Sequence, residues 1–317
     1  MVNQPNSDYD SPWKEALDVY FESFMELCFP QIHGDINWSR GYESLDVELR
    51  EVVRDAETGN RLADKLVKVW LNSGQEVVVL VHIEIQSQVK SIFPKKMYIY
   101  NHRLFDRYDL EVISLAVLGD DQVSWRPTGY GYSRWGFESR LQFPVVKLLD
   151  YQQRWAELEV SANPFAVVIM AHLSTLETAG NPPLRLQSKL SLVRGLYERG
   201  YTRSQILELF RLIEWMMVLP EPLEVNFKEE LRQDREERRM PYIVSFQRDG
   251  MMLATREDVI EILETRFEAV PSELSNSLEE IKDITVLKRL LKQSITIASV
   301  EEFERLLDEM ALQNPSD

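Results

Sequence analysis

Between Arg61 and Gln88 the chain runs RLADKLVKVWLNSGQEVVVLVHIEIQSQ, with two stretches rich in Val, Ile and Leu on either side of Asn72-Ser73-Gly74. Two β-strands joined by a tight turn are predicted, because β-branched residues favour strands and Gly74 suits the left-handed position that closes a three-residue loop. Loop length then sets the register. If Leu71 pairs with Gln75, Asp64 lies opposite His82 and diagonal to Glu84. Alternation along a strand places His82, Glu84 and Gln86 on one face and Val81, Ile83 and Ile85 on the other. In this register Asp64 joins the polar face, roughly 7–8 Å from its diagonal neighbour. A slip of one residue would move Asp64 to the opposite face.

Around this hairpin the apolar spacing changes period. Residues 12–28 carry Trp13, Leu17, Tyr20, Phe21, Phe24 and Leu27 at helical spacing, with Ser11 as the expected N-cap, Pro12 at the first helical position and Pro30 as the stop. The stretch SLDVELREVVRD fits either a sheet-opening strand or a short helix. Lys95–Tyr108 reads as a helix with Met97, Tyr100, Leu104 and Phe105 inward and Lys96, Arg103 and Arg107 along another side. Glu111–Gly119 reads as a buried strand, and Tyr130–Phe143 and Pro144–Asp150 as further strand material. The order helix, strands, helix, strand describes an α/β domain over residues 1–150.

Beyond it the pattern is helical through residue 317. Helices are expected at 164–178, 186–199, 203–218 and 222–239, with caps at Asn163 and Thr202 and a buried stripe of Leu207, Phe210, Ile213, Glu214 and Met217. Lys228–Arg239 reads as a solvated helix laced with ion pairs. Later helices are expected over 257–267, 278–292 and 300–310, the last opened by a Ser299/Glu302 capping box.

Composition changes this picture little. Of 317 residues, 44% are hydrophobic and 28% charged, the range of ordinary soluble chains. The polar start MVNQPNSDYD lacks a secretory pattern, and no apolar run approaches the ~20 residues a membrane span needs. A cytoplasmic protein without a membrane partner is expected. The single Cys28 and four scattered His argue against a Cys/His zinc site; Cys28, on an apolar helix, is not expected to act as a nucleophile. The net charge of −16 argues against a simple nucleic-acid coat. Residues 54–107, however, hold nine Lys/Arg against six Asp/Glu, which is either an ordinary mixed surface or a modest basic patch.

The acidic end of the hairpin also has two readings. One is a solvated strand end. The other is a divalent-metal site, in which two carboxylates hold Mg²⁺ or Mn²⁺ for phosphodiester hydrolysis. His82 could serve there as a general base or simply pack at the edge.

Three stretches carry a family resemblance: Ala63-Asp64-Lys65-Leu66-Val67-Lys68-Val69, Ile83-Glu84-Ile85-Gln86-Ser87-Gln88, and Lys96-Met97-Tyr98-Ile99-Tyr100. Together they resemble the Rpn family of recombination-promoting, transposase-like nucleases of the PD-(D/E)XK superfamily. Asp10-Ser11-Pro12-Trp13-Lys14 is similar to its N-terminal signature, with Tyr9 in place of a His. Phe143–Tyr151 and the helical C-terminal region look like cyanobacterial-type members.

The resemblance implies a restriction-endonuclease-like mixed sheet flanked by helices over residues 1–150, followed by an α-helical region over 151–317. It implies a metal-dependent DNA endonuclease linked to recombination or transposition, with DNA as partner and room for a homo-oligomer. Asp64 and Glu84 would be the metal ligands, Gln86 would position the water, and Lys96 would offset phosphate charge. Asp10, Glu15 and Glu22 are candidates for a further acid. Gln86 departs from the superfamily's usual Lys, and a neutral amide supplies hydrogen bonds but no charge. A nuclease fold that has lost catalysis and binds protein or DNA is therefore the alternative.

Overall fold

The computed structural model describes residues 10–46, 63–84, 92–238, 255–256, 258–267, 271, 274–275, 277–278, 281 and 284–312. The chain divides into two compact units, Met1–Phe227 and Lys228–Asp317. The first is mixed α/β. The secondary structure turns helical near Asp150, but the unit holding the sheet continues to Phe227.

Helix α1 (Asp10–Cys28) opens the described chain and kinks at Tyr20. It starts at Asp10 rather than at Pro12, so its cap falls outside the described residues. Pro30 does not merely end it. Lacking an N–H, proline suits a first helical turn, and Pro30 opens the short α2 (Pro30–Asp35). Strands β1 (Tyr42–Ser44), β2 (Ala63–Trp70) and β3 (Glu76–Glu84) follow, then α3 (Phe93–Tyr108) and β4 (Glu111–Leu118). A hairpin of β5 (Gly129–Arg134) and β6 (Phe137–Gln142) precedes β7 (Val145–Lys147). Much of the ambiguous stretch SLDVELREVVRD, residues 47–55, lies outside the described residues. The part before it, Tyr42–Ser44, forms the edge strand.

The main sheet has the order β1-β2-β3-β4-β7. β2 runs antiparallel to β1 and β3, while β3, β4 and β7 run parallel. A parallel pair needs a crossover, and α3 provides it. Side-chain alternation gives each face its own cover. On one face Leu66 meets Tyr100 and Leu104 of α3, and Ala116 and Leu118 meet Phe93 and Met97. On the other, α1 lies against β2 on the side of Lys65. Within α3 the inward residues are Phe93, Met97, Tyr100 and Leu104. Phe105, expected inside, is 54% exposed, because one position past Leu104 turns it off the narrow apolar stripe.

Four further helices complete this part of the chain: α4 (Trp155–Val160), α5 (Pro164–Glu177), α6 (Pro182–Glu198) and α7 (Arg203–Met216); α8 (Glu221–Arg238) runs across the boundary. Asn163 caps α5 by accepting from the Phe165 N–H (2.9 Å), and Thr202 with Gln205 forms a capping box on α7. α5 is buried all round from Pro164 to Thr175, as expected of a central core helix. Phe165 stacks edge-on against Trp13 and Phe24 of α1. The buried side of α7 is Ile206, Leu209, Leu212, Ile213 and Met216; Ile213 and Met217 are buried as expected, while Leu207, Phe210 and Glu214 are only half-buried, which shifts the stripe about one residue back.

The second unit has its own core, including Val259, Leu263, Leu287, Leu290, Phe303 and Leu307. Arg266 donates to the carbonyls of Ser294 and Ile297 at 2.6 Å each, satisfying acceptors near the end of the Ile284–Ser294 helix. Ser299 caps the Val300–Leu312 helix through the Glu302 N–H (3.3 Å), and the Glu302 carboxylate accepts from the Ala298 N–H (3.2 Å).

Candidate active site

The β2–β3 turn has the chemistry its residues dictate. The Leu71 N–H donates to the Gln75 carbonyl (2.8 Å), and the Gly74 N–H donates back to Leu71 (2.8 Å). Gly74 takes φ 88°, where a side chain is disfavoured. Asn72 ties the loop to α2, its amide donating to the Gly34 carbonyl at 3.0 Å. From this turn the pairing runs without a bulge to Asp64 opposite His82 and Ala63 opposite Ile83. Across the sheet, His82 pairs with Ala116, and Glu84 with Leu118. The positions of Asp64, His82 and Glu84 therefore share the face covered by α3, at the end of the strands farthest from the turn.

α3 begins at that same end. Its residues Phe93 and Met97 cluster with Ala116 and Leu118, the register partners of His82 and Glu84. Lys96, on the first turns of α3, is half-buried beside Met97. Tyr100 is core, buried among Leu45, Leu66 and Leu104, and Arg103 is exposed. Gln86 lies outside the described residues, as do the side chains of Asp64, His82 and Glu84.

The acids of α1 have other engagements. Glu15 forms an ion pair with Arg211 of α7. Glu22 is largely exposed, 4.0 Å from His33. The side chain of Asp10 falls outside the described residues. Among the described residues, the α1 acid that reaches β2 is Asp18, which sequence reasoning missed. Its Oδ1 lies 2.6 Å from Lys65 Nζ, and Asp46 Oδ2 lies 2.7 Å from the same ammonium. Asp46 Oδ1 also accepts from the Leu66 N–H (2.9 Å), and Ser44 Oγ lies 3.4 Å from Nζ. Burial works against the charged lysine, but its hydrogen bonds to Asp18 and Asp46 outweigh that and hold its pKa above the usual value. The nearby Tyr42 phenol is raised by burial, an effect that Lys65 partly offsets. A lysine alternating with Asp64 on an apolar strand was the available signal. It sits on the opposite face from Asp64 and needs buried partners there.

A second buried pair stands three strands away, at β7. Lys147 Nζ lies 2.6 Å from Asp120 Oδ1, both side chains essentially without exposure, and Lys147 sits above the Trp125 ring. Lys147 is the register partner of Leu118, itself the partner of Glu84. Among the described residues no three His, Cys, Asp or Glu side chains gather as a metal cage. Cys28 is buried, and burial pushes its thiol up to about 12, so it has no nucleophilic character at neutral pH. A cleft of about 710 Å³, lined by Asp121, Trp155, Leu173 and Glu177 among others, includes none of the residues expected from the sequence to form the site.

Among the described residues no helix is long and apolar enough to cross a membrane. Comparisons with family models, with curated proteins and with solved structures each return no match.

Proposed function

We propose that this chain is a metal-dependent DNA endonuclease whose centre lies at the open end of the β2–β3 hairpin. The observation that supports it most is the pairing of Asp64 with His82, which makes Asp64 and Glu84 diagonal neighbours on one sheet face. Hard carboxylates carried on strand positions about 7–8 Å apart are close enough to converge on one divalent cation, so the residue types fit Mg²⁺ or Mn²⁺. The order α1, three strands, α3, β4 agrees with the restriction-endonuclease-like fold that the sequence motifs imply.

In this reading Asp64 and Glu84 hold the ion. The chemistry supplied by a bound Mg²⁺ is polarisation of the phosphate and a lower pKa for the attacking water. Gln86 orients that water through its amide, accepting or donating a hydrogen bond without taking its proton. Lys96, at the positive end of α3, offsets charge that develops on the phosphate. Nicking of supercoiled DNA that requires Mg²⁺ or Mn²⁺ and disappears in Asp64→Ala and Glu84→Gln is the expected result. Metal-dependent nicking that persists in both variants would sink the site.

A second reading, a nuclease fold that binds without cutting, is favoured by the engagement of Glu15 with Arg211 and of Asp18 with Lys65. Calorimetric titration separates the two. A site that has lost catalysis through loss of metal takes up no Mn²⁺, whereas an intact site binds it and loses it on Glu84→Gln.

A further inference from the structure

The β5–β6 hairpin carries aromatic surface that no packing in the described chain consumes. Trp135 is 95% exposed, and Tyr132 and Phe137 are each more than half exposed. Trp135 and Gly136 form the two-residue turn, both with positive φ (54° and 82°). Such turns favour Asn-Gly, and a bulky residue at positive φ is a rare and strained choice. Here the strained backbone holds an indole out in water. Neither core packing nor turn preference accounts for a tryptophan at that position.

The surrounding residues form a platform. Register puts Tyr130, Tyr132 and Arg134 on one face with Leu141, Ser139 and Phe137 opposite them. Tyr132 and Phe137 are 5.7 Å apart, and the Arg134 guanidinium lies 5.5 Å from the Trp135 ring centre. α3 covers the inner part of this same face, and exposure rises toward the turn, where Tyr132 and Phe137 stay more than half open and Trp135 almost fully. Tyr98 meets Tyr130 and Tyr132 edge-on, and its hydroxyl and Ser139 Oγ are 2.5 Å apart. The charge of this region opposes that of the chain: α3 and the hairpin hold six Lys/Arg against two Asp/Glu, in a protein of net charge −16. Exposed rings interleaved with arginines, on a locally basic surface, suit bases that stack and phosphates that pair. Duplex bases have their faces covered, so the ligand that fits is unpaired.

We propose that the β5–β6 hairpin binds single-stranded DNA, with Trp135, Tyr132 and Phe137 stacking on unpaired bases and Arg134, on the same face, meeting the backbone. This rests on the DNA reading above for its partner, and it places the strand on the helix whose first turn flanks the proposed centre. The test is fluorescence anisotropy of a labelled oligothymidylate with the full chain in EDTA, where no cleavage enters. Trp135→Ala and Tyr132→Ala should each weaken binding on the order of tenfold or more. Arg134→Ala should weaken it and flatten its salt dependence. A duplex of equal length should bind less tightly.

Unaltered binding in both aromatic variants, a duplex preferred to the single strand, or no oligothymidylate binding at all would overturn the proposal. So would loss of concentration-dependent self-association in Trp135→Ala with oligonucleotide binding unchanged, which would make a second copy of the chain the occupant. The two readings fail separately. Platform-dependent binding without metal-dependent nicking rejects the nuclease alone, and nicking with platform-independent binding rejects the hairpin alone.

Discussion

Lys65 Nζ lies 2.6 Å from Asp18 Oδ1, joining β2 to α1 on the face opposite Asp64. The lysine is buried, and Asp46 completes its surroundings at 2.7 Å. Replacing it by Met leaves two carboxylates facing each other, one of them mostly buried. Lys65→Met should therefore cost on the order of 1–3 kcal/mol in urea unfolding at neutral pH. The sign with pH follows from the raised pKa. The lysine's contribution is complete below the ordinary value of 10.5 and is lost as pH rises through the higher folded value. The gap between wild type and variant should hold steady through neutral pH and narrow in the alkaline range. A gap that stays constant from neutral pH through the alkaline range would contradict the assignment.

The Lys147–Asp120 pair tests burial more severely, because neither side chain reaches solvent. Removing one partner strands a buried charge. Lys147→Met should cost about 3–5 kcal/mol, while Lys147→Met combined with Asp120→Asn should recover part of the loss. Unfolding midpoints of the four proteins give the coupling. Additive losses would show that the two groups do not depend on each other.

His172 bridges α1 and the end of β4. It accepts from Trp13 Nε1 at Nδ1 (3.2 Å), so its Nε2–H donates to the Gly119 carbonyl (2.7 Å). Burial lowers its pKa to about 4 from 6.5. The unfolded chain therefore binds the extra proton between those values, and stability falls as pH drops through that window, by about 3 kcal/mol in all. His172→Gln should be less stable at pH 7 yet show a flatter decline toward pH 4. An equal slope in the two proteins would mean that another group carries the acid response.

These polar contacts mark where the sequence was hard to read. The turn at Asn72–Gly74 made the register of Asp64 legible, because a three-residue loop leaves one pairing and alternation does the rest. Helices α5, α7 and α8 were legible from period and caps, since Asn163 and Thr202 act locally, whereas α6 begins at Pro182 under an Asn181 cap, four residues before the expected start at 186. Phe105 and the α7 stripe shifted because a partner surface selects which edge of an apolar band turns inward. Asp18 was invisible beside Glu15 and Glu22, since only the fold brings residue 65 to residue 18. Lys147 and Asp120 were passed over because charged residues are taken as exposed unless a partner is known.

The turn also offers the sharpest check on the hairpin itself. A Cβ at Gly74 would meet nothing within 4 Å, so any penalty there comes from the backbone at φ 88° and not from a clash. Gly74→Ala should cost about 1 kcal/mol, and Gly74→Asn less, because asparagine tolerates the left-handed region. Both should lower the urea midpoint without changing the slope of unfolding, since neither alters the surface buried. If Gly74→Ala is neutral, the loop can close in another conformation, and the pairing of Leu71 with Gln75 is not fixed by the turn. The shared face of Asp64 and Glu84 would then rest on the strand pairing alone.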